Sequence, residues 1–202
     1  MDLQAILLDE KPSHYFEDFR EKNLYTEELK ELYTLITIEQ NPVYHPEGSV
    51  WNHTMMVLDE AAKYKMQAGN PYGFMLAALC HDFGKAVTTE VIDGRIRSYD
   101  HEKAGIPLAE KFMERFGVDK ETRVYACNLV ELHMKPNTLV REQSSVRATN
   151  RMYRKALDTK ALILLAKADH QGRKNAGDYA VAEQFLQERL EKFEELKENN
   201  IG

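Results

Sequence analysis

The sequence predicts an all-α fold, a bundle of helices carrying one small β-hairpin. Apolar residues recur at helical spacing along most of the chain. Two segments, Pro71 to about Phe83 and Thr159 to Ala168, are apolar on nearly every face, which assigns them to a core. After Lys85 the pattern switches to a two-residue period around Asp93-Gly94, a strong hairpin signal.

The bulk properties agree with a globular chain. At 202 residues it is within the range of one domain and can bury a sizeable core. Residues 1–202 are therefore expected to form a single domain: N-terminal helices over 1–40, a core carrying the chemistry over 41–174, and a packing helix over 175–202. The 43% hydrophobic and 30% charged content fit a soluble protein, and no apolar run is long enough to span a bilayer. The acidic stretch Met1 to Glu10 does not read as a signal peptide, so a cytoplasmic location with no membrane partner is expected. Cys80 and Cys127 are too few for a disulfide framework and read as reduced thiols in apolar helices. The net charge of −6 hides an asymmetry, because Lys135 to Lys174 holds ten Lys and Arg against Glu142, Asp158 and Asp169. That segment is either a solvated basic face or a field that focuses an anionic ligand.

Helical spacing runs from Met1 to Glu39, through Leu3, Ile6 and Leu7 and then Leu29, Leu32, Tyr33 and Ile36. Asn41-Pro42, His45-Pro46 and Gly48 break it. Ser49 is the N-cap expected for a helix reaching about Gly69, with His53 on the same face as Val50, Val57, Ala61 and Tyr64. Asn70 and Pro71 start the apolar helix that delivers His81 and Asp82, and Gly84 is expected to stop it. A hairpin or extended flap follows near residues 86–98, read most closely as Thr88 to Ser98, with Arg95 and Arg97 on one face of its second strand. These arginines either contact a phosphate or are ordinary exposed strand residues.

Asp100 is expected to cap a helix from His101 to Phe116 that Pro107 kinks, and Asp119 a helix reaching His133 that Lys135-Pro136 ends. Ser144 to Leu157 sets Arg147, Arg151 and Arg154 on one face with Lys155 beside them. The second apolar helix then ends in Asp169, His170, Gln171, Gly172 and Arg173. The last helix, from about Asp178 to Asn199, is expected to pack through Val181, Phe185, Leu190, Phe193 and Leu196.

An imidazole and a carboxylate carried into a core need a partner, since unpaired buried charge is expensive. A divalent cation suits both a neutral imidazole and an ionised carboxylate. One His-Asp dipeptide is weak evidence in a chain with seven histidines, and a lone His on an apolar face is usually a satisfied core residue. Here, however, apolar helices deliver His53, His81, Asp82, His101, His133 and Asp169 together.

That ordered set resembles the signature of the HD superfamily of metal-dependent phosphohydrolases. The stretches Tyr44-His45-Pro46-Glu47-Gly48-Ser49-Val50-Trp51-Asn52-His53-Thr54, His81-Asp82-Phe83-Gly84-Lys85, and Gly94-Arg95-Ile96-Arg97 through His101-Glu102 resemble the HD domain attached to some bacterial CCA-adding tRNA nucleotidyltransferases. The nucleotidyltransferase head is not expected here, for the chain lacks room for it and has no Asp-x-Asp pair. The resemblance implies an HD-type helical bundle in which His53, His81, Asp82 and Asp169 ligate a divalent metal, with His101 and His133 as ligands of a second. One or two of Mn, Fe, Co, Ni, Mg or Zn would serve, since ligand type does not fix the metal.

The expected activity is hydrolysis of a small-molecule phosphate ester or nucleotide, or of a phosphate at an RNA end, by nucleotidase, 2′,3′-cyclic phosphodiesterase or phosphatase chemistry. Asp82 would orient the attacking water or bridge two metals. Lys85, one turn past the ligands, either neutralises a phosphate or complements the helix dipole. The alternative is a noncatalytic module that binds tRNA or a protein partner through the basic 135–174 face.

Overall fold

The computed structural model describes residues 1–199, so residues 200–202 of the expected 175–202 segment lie outside the described residues. The fold is all-α with one small antiparallel sheet, as the periodicity predicts. In chain order the helices before the hairpin are α1 (Leu3–Leu7), α2 (Ser13–Glu21), α3 (Lys30–Thr34), α4 (Val50–Ala62), α5 (Pro71–Cys80) and α6 (Lys85–Thr88). Strands β1 (Thr89–Ile92) and β2 (Arg95–Ser98) follow. After them come α7 (His101–Ala104), α8 (Ile106–Arg115), α9 (Lys120–Leu132), α10 (Met134–Arg141), α11 (Val146–Tyr153), α12 (Thr159–Gln171) and α13 (Ala180–Asn199).

Helix α5 is the axis of the bundle. Asn70 accepts a hydrogen bond from the Gly73 N–H and Pro71 sits in the first turn, where an N–H would have no helical partner. Every residue from Gly73 to Cys80 is buried, and each large side chain among them stabilises by about 1.5–3 kcal/mol on burial. Helices α9, α4 and α12 surround it. Asp158 fastens this arrangement, because it caps α12 through the Ala161 N–H while its other oxygen accepts from the Gly69 N–H at 2.8 Å and the Tyr125 hydroxyl at 2.7 Å.

Several boundaries differ from the sequence expectation, each for a local reason. The stretch 1–39 is divided, since α2 ends at a left-handed Asn23 (φ 52°) with Leu24 N–H bonded back to Phe19 O, a Schellman closure. Helix α4 caps on Ser49 as expected but ends at Ala62. Pro107 does not kink a helix; it lies in the first turn of α8, where it removes no hydrogen bond, and the break falls at Gly105. Pro136 likewise lies in the first turn of α10, so it does not end the preceding helix. Asp100 is left-handed (φ 54°) and makes no side-chain cap, its carboxylate instead accepting from Lys103 at 2.7 Å. Along α13 the expected Phe185, Leu190 and Phe193 pack on the core, joined by Leu186, whereas Val181 is 80% exposed and Leu196 49% exposed, so the stripe holds in the middle of the helix and fails toward its ends.

The hairpin forms on a two-residue turn with positive φ at both Asp93 (50°) and Gly94 (70°), the geometry that matches strand twist. Gly84 does not end α5, which stops at Cys80; its φ is −63°. It is small for a different reason, because an added Cβ would lie 1.9 Å from the His101 carbonyl oxygen and 2.7 Å from the Gly105 nitrogen. The backbones of the α6 and α7 regions thus touch at Gly84 and bring His101 up to His81-Asp82. Gly84→Ala is expected to cost about 1–3 kcal/mol or more by overpacking, read as a lowered urea midpoint at unchanged m-value.

Candidate metal centre

The six polar side chains carried in by apolar helices meet at one place. His53, His81, Asp82, His101, His133 and Asp169 are each at most 6% exposed. His53 comes from the N-terminal part of α4, His81 and His133 from the C-terminal caps of α5 and α9, His101 from the first residue of α7, and Asp169 from the last turn of α12.

Local hydrogen bonds fix how the imidazoles face. His81 Nδ1 is 2.8 Å from Ala78 O, His101 Nδ1 is 2.8 Å from Ser98 O, and His133 Nδ1 is 2.7 Å from Val130 O. A carbonyl oxygen only accepts, so each Nδ1 carries the proton and donates it. For His81 and His133 the same bond satisfies an orphan carbonyl at the end of a helix, which is the local reason the chain places histidine there. In the neutral form, each ring then has its lone pair on Nε2.

These Nε2 atoms converge on Asp82 and on one another. His81 Nε2 lies 3.3 Å from Asp82 Oδ2, His101 Nε2 3.3 Å from Asp82 Oδ1, and His53 Nε2 3.8 Å from Asp82 Oδ2. His101 Nε2 and His133 Nε2 are 3.3 Å apart, and His53 Nε2 is 3.1 Å from Asp169 Oδ1. Among the described residues three groups offer three ligand atoms all within 4.8 Å of one another; two of them, His53-His81-Asp82 and Asp82-His101-His133, are wholly buried and share Asp82, and the third, His45-Glu47-His53, adjoins them through His53.

The electrostatics suit a cation. Burial alone would raise the Asp82 carboxyl, but the Lys85 ammonium first, and then His81 and His101, hold it well below the usual carboxylate range. Asp169 is likewise held down against burial by Arg173 and His53. Burial pushes His133 down to about 3, with His81 and His101 adding to the effect, so this ring is neutral. Burial works to lower His53, yet its bonds to Asp169 and Glu47 outweigh it and raise it. The carboxylates that favour a proton there favour any cation.

The donor set passes a further test of fit. Among the described residues His81 Nε2 is fully buried and makes no hydrogen bond, while Asp82 Oδ2 beside it meets Lys85 Nζ at 2.7 Å as an ion pair. Buried polar atoms without partners are rare in native structures and call for a specific explanation. Nitrogen and oxygen donors in this mixture suit first-row divalent metals.

Around the cluster lies a cavity of about 540 Å³ lined by Lys85, Arg95, Arg97, Arg141 and Arg173 together with Gln40, Tyr44, His45, Asn137 and Tyr179 among others. Lys85 and Arg173 touch the buried carboxylates: Lys85 as above, and Arg173 Nη2 at 3.2 Å from Asp169 Oδ1. Arg95 and Arg97 stand on the cavity wall without contact to the cluster. Arg97 donates to the Tyr99 hydroxyl at 2.7 Å and packs over that ring. The basic residues on and just after α11, Arg147, Arg151, Arg154 and Lys155, are exposed and none lines the cavity.

Sequence reasoning missed three side chains here. Gln40 accepts from Lys85 Nζ at 2.7 Å. Glu47 Oε1 lies 2.8 Å from His45 Nδ1 and 3.0 Å from His53 Nδ1. All three lie in the segment between α3 and α4, where no periodicity marks an inward face; the one available signal was the polar run His45-Pro46-Glu47 placed just ahead of His53.

Comparison with known proteins bears on this geometry. The family model described as HD domain matches residues 50–173. The Multifunctional CCA protein of Pasteurella multocida (strain Pm70) is 30% identical over 178 residues, covering 86% of this chain and 42% of that protein. The protein of the same name from Alkalilimnicola ehrlichii is 28% identical over 192 residues, covering 93% and 45%. That from Cupriavidus metallidurans is 36% identical over 132 residues, covering 65% and 30%. The chain thus spans less than half the length of these relatives.

Proposed function

The chain belongs to the HD domain family, and from that premise we propose that it is a metal-dependent phosphohydrolase acting on a nucleotide or on a phosphate at an RNA end. The observation that carries this reading is the orientation of His81, His101 and His133: each gives its Nδ1 proton to a backbone carbonyl and leaves an Nε2 lone pair facing Asp82 or a neighbouring Nε2. Metal-binding histidines characteristically make that second hydrogen bond.

In this reading His53, His81, Asp82 and Asp169 hold one divalent cation, and Asp82, His101 and His133 hold a second. The metal is one or two of Mn, Fe, Co, Ni, Mg or Zn. When bound, such an ion supplies Lewis acidity toward a phosphoryl oxygen and lowers the pKa of water from 15.7 toward ~7. Asp82, common to both groups, orients the attacking water. Lys85, steadied by Gln40, and Arg173, steadied by Asp169, present positive charge at the cavity and bind the phosphate. Arg95 and Arg97 on the hairpin hold the remainder of the substrate. Nucleotidase, 2′,3′-cyclic phosphodiesterase and phosphatase reactions share these parts, with the leaving oxygen taking its proton from water. A cytoplasmic setting fits the free Cys80 and Cys127, and no helix among the described residues is long and apolar enough to cross a membrane.

The test is phosphate release from a panel of nucleotide 2′-, 3′- and 5′-monophosphates, 2′,3′-cyclic nucleotides and simple phosphate esters, with Mn, Co, Ni or Mg added in turn. Metal-stimulated turnover of at least one member is expected. His133→Ala is expected to lower metal stoichiometry toward one by mass spectrometry, and a variant that still holds two ions would remove the dinuclear assignment.

One observation favours a second reading, a noncatalytic module on RNA or a protein. Among the described residues, Arg147, Arg151, Arg154 and Lys155 on or beside α11 make no ion pair with a carboxylate. Salt-dependent RNA binding with no turnover of any ester in the panel would transfer the function to that face.

A further inference from the structure

Glu47 lies outside the two ligand groups assigned above, yet its carboxylate is 3% exposed and directed at their edge. One oxygen, Oε1, serves two imidazoles, His45 Nδ1 at 2.8 Å and His53 Nδ1 at 3.0 Å. The other, Oε2, accepts from the Lys174 N–H at 3.3 Å, and the Glu47 carbonyl accepts from Asn52 Nδ2 at 2.9 Å. The loop that carries Glu47 is closed at its base, where Val50 N–H bonds to Ile38 O at 2.9 Å and Glu39 bridges Ser49. The carboxylate is therefore held between two imidazoles on one oxygen and the Lys174 N–H on the other.

We propose that Glu47 is a positioning residue that holds His53 with Nε2 toward the metal centre, a role that rests on the ligand assignment of the preceding subsection. The physical case is one of tautomer and angle. His53 sits on α4 without the carbonyl three residues back that fixes His81, His101 and His133; its Nδ1 is instead served by Glu47 and by Gly172 O at 3.2 Å. Both ring nitrogens face acceptors, Nδ1 the Glu47 carboxylate and Gly172 O, and Nε2 the Asp169 carboxylate at 3.1 Å; a cation taking the place of the Nε2 proton would leave Nδ1–H held by Glu47 and make Nε2 the ligand atom. The negative charge also raises the basicity of the ring as a donor. The same oxygen fixes His45, which lines the substrate cavity, as an Nδ1–H tautomer whose Nε2 accepts hydrogen bonds.

A cation held among His45, Glu47 and His53 would compete with this role, since these residues too offer ligand atoms within 4.8 Å of one another. It would make His53 bind through both nitrogens at once and so require loss of both ring protons, which disfavours it.

The experiment measures zinc binding to the purified 202-residue chain by calorimetry and by mass spectrometry, for wild type, Glu47→Ala and Glu47→Gln. Long-range ¹H–¹⁵N spectra of the zinc-loaded histidines are recorded alongside. Glu47→Ala is expected to weaken zinc binding about 10–100-fold and to lose the uniform pattern of a metal-bound Nε2 at His53. Glu47→Gln keeps an acceptor oxygen for the imidazoles while losing the acceptor for Lys174, so it is expected to bind more tightly than Glu47→Ala and to keep the His53 pattern. Wild-type affinity in Glu47→Ala overturns the proposal and leaves the hydrolase reading standing. Equal losses in both variants, with the His53 pattern intact, overturn it in favour of a purely structural tie to Lys174. Loss of one whole zinc equivalent in Glu47→Gln with an unchanged His53 signal overturns it in favour of a cation at His45-Glu47-His53. A wild type that takes up no zinc, manganese or cobalt overturns both readings.

Discussion

Asp82→Ala is expected to abolish hydrolysis, lowering turnover by about 10³-fold or more, and to leave the protein with less than one bound metal per chain. Asp82 is the single residue present in both ligand groups, within 3.8 Å of three imidazoles and 2.7 Å of Lys85. Its loss removes a charged ligand from each site and the group that orients the attacking water. Transition-state charge stabilisation by a bound metal contributes several kcal/mol, and each 1.36 kcal/mol is a tenfold change in rate. Asp82→Asn separates charge from shape, since it keeps the volume and one acceptor oxygen while losing the formal charge. Both variants need assay at saturating metal together with mass-spectrometric metal content. Full activity in either, at wild-type metal content, would remove Asp82 from the mechanism.

Why these six residues were legible, and others not, follows from how each side chain is delivered. His53, His81, Asp82 and Asp169 ride on helices whose apolar residues declare the inward direction, so a polar group in phase with them has to be buried. His133 is found the same way, in phase with Leu129 and Val130 at the end of α9. His101 was legible only as a residue at a helix start, and its arrival at Asp82 depends on the contact of Gly84 with the His101 carbonyl, which no periodicity encodes. Gly84 was accordingly misread as a helix stop, because a glycine after an apolar run has two meanings, a left-handed cap or a close backbone approach, and sequence alone does not separate them. Gln40, His45 and Glu47 sit in a loop that crosses the mouth of the site, and loops carry no repeating pattern from which to infer direction. The basic 135–174 segment shows the opposite failure. It is continuous in sequence but divided in space, with Arg141 and Arg173 on the cavity and the α11 arginines elsewhere.

Metal should also reveal itself in stability, without any substrate. A cation that binds the folded chain and not the unfolded one adds about 2.7 kcal/mol when free metal is at 100 times its dissociation constant. For a chain of 202 residues, each kcal/mol shifts the melting temperature by about 2–4 °C. Adding the preferred ion to chelator-stripped protein is therefore expected to raise the melting temperature by about 5–10 °C, and EDTA to reverse it. The sign follows from the centre itself, where two carboxylates held ionised in the core and the unpartnered His81 Nε2 all gain from a positive ion. His53→Ala, His81→Ala and Asp169→Ala should each lose most of the metal-dependent rise, measured against the same variant stripped of metal because loss of a buried partner also lowers the baseline, whereas Arg151→Ala, on exposed α11, should keep it. Scanning calorimetry with Mn, Fe, Co, Ni, Mg and Zn ranks the ions by the rise each produces. A melting temperature indifferent to all six would show that the cluster is satisfied by protons and hydrogen bonds alone, and that water activation at this centre has no source.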